Sequence, residues 1–239
     1  MPTESASPAD TARSVSPADT TDYPATERTT PTRNATRVSY DRELVHAVLD
    51  EGYVCHLGLV RDGAPIVLPT LYARLGERVY VHGSTGSRPL RDMGRTPEPG
   101  MPVCLTVTHV DGLVLARSAF HHSVNYRSVV IHGTASPVLD EEERITALDA
   151  LVDNAVPGRA ADCRPANAKE LAATAVLAIE LVEVSVKTRV GGPNDDPADV
   201  ALPYWSGVLP IHTTRGTPLP AEDLPESRAT APAYLTAGS

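Results

Sequence analysis

The residues best suited to chemistry lie in two polar segments that interrupt apolar runs. The first is His82-Gly-Ser-Thr-Gly-Ser-Arg88, where a strand pattern ends in small residues and a helix pattern begins. Backbone N–H groups at the start of a helix have no partner within the helix, so they bind anions. The hydroxyls add donors, and the Arg88 guanidinium can hold a phosphate in bidentate fashion. The segment predicts a phosphate site, although an ordinary turn with Ser87 as helix cap would explain the same residues.

The second segment, residues 117–133, places adjacent histidines and an arginine before a Val-Val-Ile run. On a strand, His121 and His122 would face opposite sides, so only one of them could enter a given site. Arg127 would point toward the core, where it needs either a bound anion or a carboxylate, and the sequence leaves both open. Alternation divides the other residues into two faces, with Asn125, Arg127 and Val129 on one and Tyr126, Ser128 and Val130 on the other.

A third candidate is Trp205, the single tryptophan, which lies in a loop between two prolines. A tryptophan outside regular structure can stack on a planar ligand, although a lone tryptophan is more often part of a core. The nearby acidic run of Asp195, Asp196 and Asp199 lacks the bidentate Glu of a Ca²⁺ loop, so we expect no metal site there. The sequence also contains no nucleophile elbow and no dinucleotide-binding glycine motif.

Composition excludes several classes of function. The chain of 239 residues has a formal net charge of −9, and its pI is near 5.3. This charge argues against nucleic acid or an anionic membrane as a partner. No stretch reaches the roughly 18 apolar residues of a membrane span, and the N-terminus lacks the apolar segment of a secretory signal. Three cysteines, odd in number and far apart, predict free thiols in a reducing cytoplasm.

The pattern along the chain predicts one domain with two unstructured ends. Residues 1–37 are rich in Ser, Thr, Ala and Pro, which predicts a disordered extension. Residues 38–212 form the domain, and residues 213–239 form an extended or disordered tail. Four apolar side chains of that tail could still pack over the core, namely Leu219, Leu224, Tyr234 and Leu235.

Short strands at hairpin spacing, with few helices, predict a mainly β protein built as a small antiparallel barrel. The predicted strands are 54–60, 64–74, 78–83, 102–110, 113–118, 126–138 and 175–190. The predicted helices are 40–50, 87–93, one that begins at Asp140, and 167–174. Asp62-Gly63 is a strong hairpin signal, and Asp111-Gly112 is read as a second one.

Five segments, taken in order, resemble the pyridoxamine 5′-phosphate oxidase-like family, the FMN-binding split barrels. Within that family they are most similar to the branch that includes the nitroimidazole-resistance (Nim) proteins. The resemblance covers residues 38–212 and rests on the segments 62–72, 80–88, 120–133, 187–189 and 205–210. It implies an antiparallel, Greek-key-like split barrel with short helices, and a homodimer that holds FMN in grooves between its two barrels.

The resemblance also implies cofactor-binding residues. The family's phosphate segment falls on His82, Gly83, Ser87 and Arg88. Its cross-strand contact falls on Arg127 and Ser128, beside Tyr126. The strand that lines the isoalloxazine matches Pro69 and Thr70, and the remaining contacts fall on Lys187 and Trp205.

Three functions follow as expectations. The first is an FMN-dependent oxidoreductase for a small organic substrate, with His121 or His122 as proton donor. Pyridoxamine phosphate is not the expected substrate, because the Arg-Leu-His-type segment of true pyridoxamine phosphate oxidases is missing after Trp205. The second is a haem b protein, because some split-barrel relatives bind haem, with His82, His121, His122 or His132 as axial ligand. The third is a flavin-binding protein without catalytic turnover.

Overall fold

Long antiparallel strands make up most of the regular structure in residues 21–86 and 100–236, the part of the chain that the computed structural model describes. The strands are β1 (Val38–Ser39), β2 (Val54–Arg61), β3 (Ala64–Leu75), β4 (Arg78–Ser84), β5 (Met101–Leu115), β6 (Ser123–Pro137), β7 (Thr174–Glu180), β8 (Glu183–Arg189) and β9 (Gly207–Pro210). The helices are α1 (Arg42–Glu51), α2 (Glu141–Ala155), α3 (Ala168–Ala173) and α4 (Ala233–Thr236). None of these helices is long and apolar enough to cross a membrane.

The strands close into a split barrel, which confirms the predicted fold class. Their order is β1-β8-β6-β7-β4-β3-β2-β5-β9, and an additional β5–β6 pairing closes a ring of six strands. The long strand β6 shares one edge between two partners. Its first half pairs with β8 and its last residues pair with β7. The barrel therefore opens where β8 diverges from β7.

Helix α1 fills the open side of the barrel. Asp41 caps its N-terminus by accepting a hydrogen bond from the Leu44 backbone N–H at 2.7 Å. At its other end, the last carbonyls of a helix lack partners within the helix. Two barrel side chains supply them, since the Tyr72 hydroxyl donates to the Leu49 carbonyl at 2.5 Å and His109 Nε2 donates to the Val48 carbonyl at 2.9 Å. The helix is thus anchored to β3 and β5.

The turn at Asp62-Gly63 is the predicted hairpin. Both residues have positive φ, 52° and 75°, as the tight turn between two directly paired strands requires. The second predicted hairpin, at Asp111-Gly112, is wrong. Strand β5 runs through this position with a bulge between Val110 and Gly112. The reason is that β6 is equally long and pairs with β5 on both sides of the bulge.

The predicted strand 175–190 is also wrong, because it is two strands, β7 and β8, joined at Leu181 and Val182. No Gly, Pro, Asn or Asp marks this turn. Instead, the Leu181 backbone N–H donates to the Glu77 carbonyl at 2.8 Å, a contact with a distant loop. The predicted helix 87–93 lies outside the described residues.

The described residues of both chain ends contact the domain. Residues 21–37 pack against the barrel, where Tyr23 is 2% exposed and belongs to the core. Its hydroxyl donates to Glu77 Oε2 at 2.8 Å. A single anchoring aromatic has no periodicity, so the sequence pattern does not reveal it. The C-terminal tail has little regular secondary structure before α4, and the Tyr234 hydroxyl joins it to the domain by donating to Asp162 Oδ2 at 2.6 Å.

Candidate functional site

The outer face of the barrel, meaning the side of β4, β3, β2, β5, β6 and β8 turned away from the core, carries many of the candidate residues. Side chains alternate along a strand, and directly paired residues face the same side. Because Tyr72 and Val81 are paired and buried, the preceding Leu71 and the following His82 point outward. The other outer-face residues used below are Val54, His56, Gly58, Val60, Val67, Pro69, Cys104, Thr106, Thr108, Val110, Tyr126, Ser128, Val130, His132 and Lys187.

Much of the outer face is apolar and exposed. Val60 and Val67 are each nearly two-thirds exposed, and Val54 and its paired neighbour Leu71 are also exposed. Gly58, which pairs with Val67, adds a flat area of backbone between them. A contiguous apolar patch of this kind on a folded protein marks a ligand or protein contact.

A groove of about 640 Å³ lies at one end of the outer face. It is bounded by the end of α1, by β5 and by residues 211–215. The volume falls in the range of small-molecule and cofactor sites. Hydroxyl and guanidinium donors enter it from two directions, Thr108 from β5 and Thr213, Thr214 and Arg215 from the C-terminal segment.

Arg127 forms one wall of this groove, held between two carboxylates. Its Nε and Nη2 donate to Asp111 Oδ2 and Oδ1 at 3.0 and 2.8 Å, and Nη2 also donates to Glu51 Oε1 at 2.8 Å. These hydrogen bonds hold the pKa of both the Glu51 and the Asp111 carboxyl below the usual range. The β5 bulge places Asp111 beside Arg127, and redirecting a side chain is a common role of bulges. Of the two partners that the sequence left open for Arg127, a bound anion or a carboxylate, the structure shows carboxylates.

Arg127 and Ser128 point to opposite sides of β6. Ser128 pairs with Thr108 on β5 and with Lys187 on β8, so a hydroxyl, a second hydroxyl and an ammonium lie side by side on the outer face. Tyr126 lies one step further along the same face, paired with Val110. The predicted cofactor contacts of these residues remain predictions.

The two residues predicted to line the isoalloxazine also face opposite sides of their strand. Pro69 faces outward beside His56, whereas Thr70 faces inward beside the buried Cys55. One row of paired residues crosses β3, β2, β5 and β6. It begins at Pro69, continues through His56 and Thr106, and ends at Val130. Three strand spacings of about 4.8 Å separate the row ends by roughly 14 Å. That span accommodates a planar ring system on the outer face.

His82 lies near the end of β4, paired with Val176 of β7. Its Nδ1 is buried and has no hydrogen-bond partner in the described part of the chain. Burial lowers the pKa of the imidazole, which favours the neutral form. Gly83 follows it on β4, whereas Ser87 and Arg88 of the predicted phosphate segment lie outside the described residues.

His121 and His122 are not on a strand, contrary to the expectation. His121 ends a short 3₁₀ turn (Ala119–His121), and its Nε2 lies 3.2 Å from Asp196 Oδ2. His122 Nδ1 lies 3.0 Å from the Ser118 carbonyl oxygen. The turn connects β5 to β6 and lies beyond the end of β5 at Leu115, outside the groove.

Trp205 also lies near this end of β5. It is 68% exposed and precedes Gly207, which pairs with Leu115 at the end of β5. Four residues separate Leu115 from the groove-lining Asp111, which corresponds to roughly 13 Å along the strand. The structure therefore brings His82, Pro69, Tyr126, Ser128 and Lys187 to one face, and places His121, His122 and Trp205 apart from them.

His132 also lies on the outer face, paired with Cys104 on β5 and with Glu183 on β8. Burial, and secondarily the positive charge of Arg28, lowers its pKa. The sequence interpretation missed two other histidines. His56 lies outward among aliphatic residues, and its position in an alternating strand ahead of Gly58 was an available signal. His109 lines the groove and caps α1, and nothing in its local sequence indicates this.

Comparison with known proteins agrees with this geometry. The family model described as pyridoxamine 5′-phosphate oxidase matches residues 41–188. The flavocytochrome Anf3 from Azotobacter vinelandii is 37% identical, with 90% of this chain and 97% of that chain covered and a TM-score of 0.81. The FAD- and haem-binding protein from Mycobacterium smegmatis is 38% identical, with coverage of 84% and 96% and a TM-score of 0.78.

A third structure, a Bacteroides thetaiotaomicron protein assigned to 5-nitroimidazole antibiotic resistance, is 18% identical. Its coverage is 63% of this chain and 85% of that chain, its TM-score is 0.50, and it shares the fold alone. No curated protein matches the sequence. The match of the family model over most of the barrel, together with the two relatives above one-third identity, shows that the chain belongs to the pyridoxamine 5′-phosphate oxidase family.

Proposed function

We propose that this chain is a flavin- and haem-binding redox protein that acts as a homodimeric oxidoreductase on a small molecule. The observation that carries the proposal is the identity of 37% and 38% to a flavocytochrome and to an FAD- and haem-binding protein, over nearly their whole lengths. Flavin and haem, which the sequence offered as alternatives, are thereby proposed together. The name of the mycobacterial relative favours FAD over FMN as the flavin.

The residues on the outer face fit a flavin. Aliphatic side chains and Gly58 offer a flat apolar surface for a ring system, and Thr108, Ser128 and Lys187 offer donors beside it. The adjoining groove of about 640 Å³ adds the hydroxyls and the guanidinium of residues 213–215 for a phosphate-bearing chain. A mixture of apolar walls with a few converging donors is typical of cofactor sites.

The residues also fit a haem. An axial imidazole needs a ring nitrogen that is not already committed, in apolar surroundings. His121 and His122 each have a polar partner already. His82 has a buried Nδ1 without a partner in residues 21–86 and 100–236, and it pairs with Val176 of β7, which belongs to a buried apolar cluster. We therefore favour His82 as the axial ligand.

When bound, a flavin supplies one- or two-electron chemistry and a haem iron supplies one-electron chemistry. The chain supplies the surroundings. The aliphatic residues of the outer face would exclude water once a second copy covers them, and the donors of Ser128 and Lys187 would orient the flavin. Trp205 is proposed to contact the ring of the cofactor, as the family resemblance implies.

An absorption spectrum of the purified protein tests the proposal directly. We expect both flavin bands and a haem Soret band, at equal stoichiometry per chain after acid extraction of the flavin and a haem assay. Chromatography of the extract distinguishes FAD from FMN. A protein that carries neither group as isolated, and takes up neither from solution, would refute the proposal.

The haem ligand can be tested with a matched pair of variants. His82→Ala is expected to abolish the Soret band or shift it strongly, with the flavin retained, because the axial imidazole is lost. His56→Ala removes another imidazole of the same face and is expected to leave the band in place. The opposite pattern would show that His56 is the ligand.

Catalysis needs its own measurement. Stopped-flow mixing with NADH or NADPH under anaerobic conditions is expected to reduce the flavin and then the haem. A holoprotein that no nicotinamide cofactor reduces would favour the non-catalytic flavin protein instead.

Sedimentation equilibrium tests the homodimer. The cytoplasmic location stays a prediction from composition.

A further inference from the structure

A smaller cavity lies beside the groove, where the C-terminal segment crosses the domain. Its volume is about 380 Å³, within the range of sites for small organic ligands. Its walls come from the residue before β2, from β3, from the end of α2 and from the C-terminal segment. Tyr53 and Arg215 line both this cavity and the groove, so the two spaces adjoin at these residues. We call the smaller cavity the side pocket.

The walls of the side pocket are mainly aliphatic. Leu71 comes from β3, Val156 follows the end of α2, and Pro218 and Leu235 come from the C-terminal segment. None of the described residues that line the pocket is acidic, and Arg215 is the one basic residue among them. Because moving apolar surface out of water is favourable, these walls suit the apolar body of a ligand.

Arg215 lies at the boundary between the side pocket and the groove. Its Nη2 donates to the Ala155 carbonyl at 2.7 Å, one of the last carbonyls of α2, which lack partners within the helix. A guanidinium has five N–H groups, so four remain for the two cavities that Arg215 borders. The same side chain can therefore donate to a phosphate in the groove and to a second anion in the side pocket.

The partners of Arg215 differ from those of Arg127, which also lines the groove. Arg127 donates to the carboxylates of Glu51 and Asp111. Arg215 has no carboxylate within ion-pair distance in residues 21–86 and 100–236, and its one hydrogen bond there is to a carbonyl. A ligand carboxylate would give this guanidinium the charge-assisted hydrogen bonds that Arg127 obtains from the protein.

The C-terminal wall of the side pocket is held to the domain at both ends. The Arg215 hydrogen bond to α2 fixes its first part. Next to Leu235, the Tyr234 hydroxyl donates to Asp162 Oδ2 at 2.6 Å and accepts from Arg159 Nη1 at 3.1 Å. The pocket is thus formed by the fold before a ligand enters, as is usual for small-molecule sites.

We propose that the side pocket binds a small carboxylate with an apolar body. The apolar body would lie against Leu71, Val156 and Leu235, and the carboxylate would accept hydrogen bonds from Arg215. The first part follows from the walls, and the second from charge complementarity with a guanidinium that has no acidic partner among the described residues. Since the pocket adjoins the cofactor groove, this ligand is also the substrate class, and that assignment alone rests on the proposed function.

Calorimetric titration with 2-naphthoate and with its neutral counterpart 2-naphthylmethanol tests the ligand class. The two probes share a ring system, so their difference isolates the carboxylate. The purified protein, with the cofactors it carries, is expected to bind naphthoate roughly tenfold more tightly, a factor equivalent to one charge-assisted hydrogen bond. Equal affinity for both probes would overturn the carboxylate assignment. Binding of neither, the result expected if a second copy fills the pocket, would overturn the site itself.

Two variants separate the two parts of the recognition. Arg215→Gln keeps an NH₂ group for the Ala155 carbonyl but removes the charge, so naphthoate should bind about tenfold more weakly and the alcohol as in the wild type. Leu235→Ser shortens an apolar wall, so both probes should bind roughly fivefold more weakly. Arg228→Gln is the matched control, because it removes the same charge from the same segment outside the pocket. Wild-type affinity for naphthoate in Arg215→Gln would overturn the role of Arg215.

The substrate assignment has its own readout. Because the cavities adjoin, naphthoate is expected to shift the flavin absorption bands, and to do so in Arg215→Gln only at about tenfold higher concentration. Naphthoate binding without any change in the flavin bands would overturn the substrate assignment. A protein that takes up neither flavin nor haem would refute the proposed function, and the calorimetric titration would still decide the ligand of the side pocket. The two failures are therefore distinguishable.

Discussion

Two arginine–carboxylate clusters lie near the C-terminal end of strand β5, one at Asp111 within the strand and one at Arg117 just after it, and they are built in opposite ways. At the groove, one cation, Arg127, lies between two acids, Glu51 and Asp111. After the end of β5, one acid, Asp195, lies among donors from Arg117 and Ser206. The acids of the groove cluster are 53% and 36% exposed, whereas Asp195 is 5% exposed.

Exposure decides what each cluster can do. Exposed ion pairs contribute little to stability and are screened by salt, so the Arg127 cluster can exchange a carboxylate for a ligand anion at small cost. Breaking a buried pair leaves a desolvated charge behind, so the Asp195 cluster should hold one arrangement. The Arg127 cluster is thus suited to binding, and the Asp195 cluster is suited to holding side chains in place.

The same substitution in both clusters tests this contrast, and the larger effect is expected at Arg117. Arg117→Met leaves Asp195, whose side chain is 5% exposed, without its cation, which should lower the free energy of unfolding. Part of the loss is offset because the buried Arg117 Nε has no partner among the described residues. Urea unfolding measures the difference. A loss smaller than that of Arg127→Met would contradict the comparison.

A smaller effect is expected for Arg127→Met, of about 1 kcal/mol or less, since Glu51 and Asp111 remain hydrated when their cation is removed. Urea unfolding is again the measurement, repeated at high salt. Screening should shrink the difference between this variant and the wild type, and should leave the difference for Arg117→Met largely unchanged. A difference of 3 kcal/mol, on the order expected for a buried pair, would show that the groove cluster is not the adaptable one.

The smallest effect is expected in how the free energy of unfolding falls at acidic pH. The pKa values of Glu51 and Asp111 are lowered in the folded state, chiefly by hydrogen bonds from Arg127. Their stabilising contribution is therefore complete above the unfolded-state pKa of about 4 and is lost as pH falls through the folded-state values. Arg127→Met should lose stability less steeply below pH of about 4.5. An acid limb as steep as that of the wild type would show that these carboxyls are not responsible.

Local patterns predicted the elements that depend on neighbouring residues. The Asp62-Gly63 turn, the helix that begins at Asp140 and most strand positions agree with the structure, because turn and capping preferences act within a few residues. Asp111-Gly112 has the same turn chemistry but forms a bulge, because the pairing of the whole of β5 with β6 outweighs one local preference.

The candidate site was predictable in part for the same reason. Alternation correctly separated Arg127 from Ser128, but it could not say which carboxylates would meet Arg127. It also failed for His121 and His122, because a 3₁₀ turn replaces the expected strand. Residues 211–215, which close the groove, carry no strand or helix pattern, so only their fold against α1 and β5 reveals them.

The sequence by itself determined the antiparallel barrel, its family and the two polar segments, since periodicity and motif order are properties of the chain. Tertiary structure decided that the outer-face residues meet on one side, that Arg127 is held by Glu51 and Asp111, and that Asp195 joins the segments of Arg117 and Ser206. The physical reason is that these contacts join residues up to 78 positions apart, and burial, which sets their strength, exists only once the chain has folded.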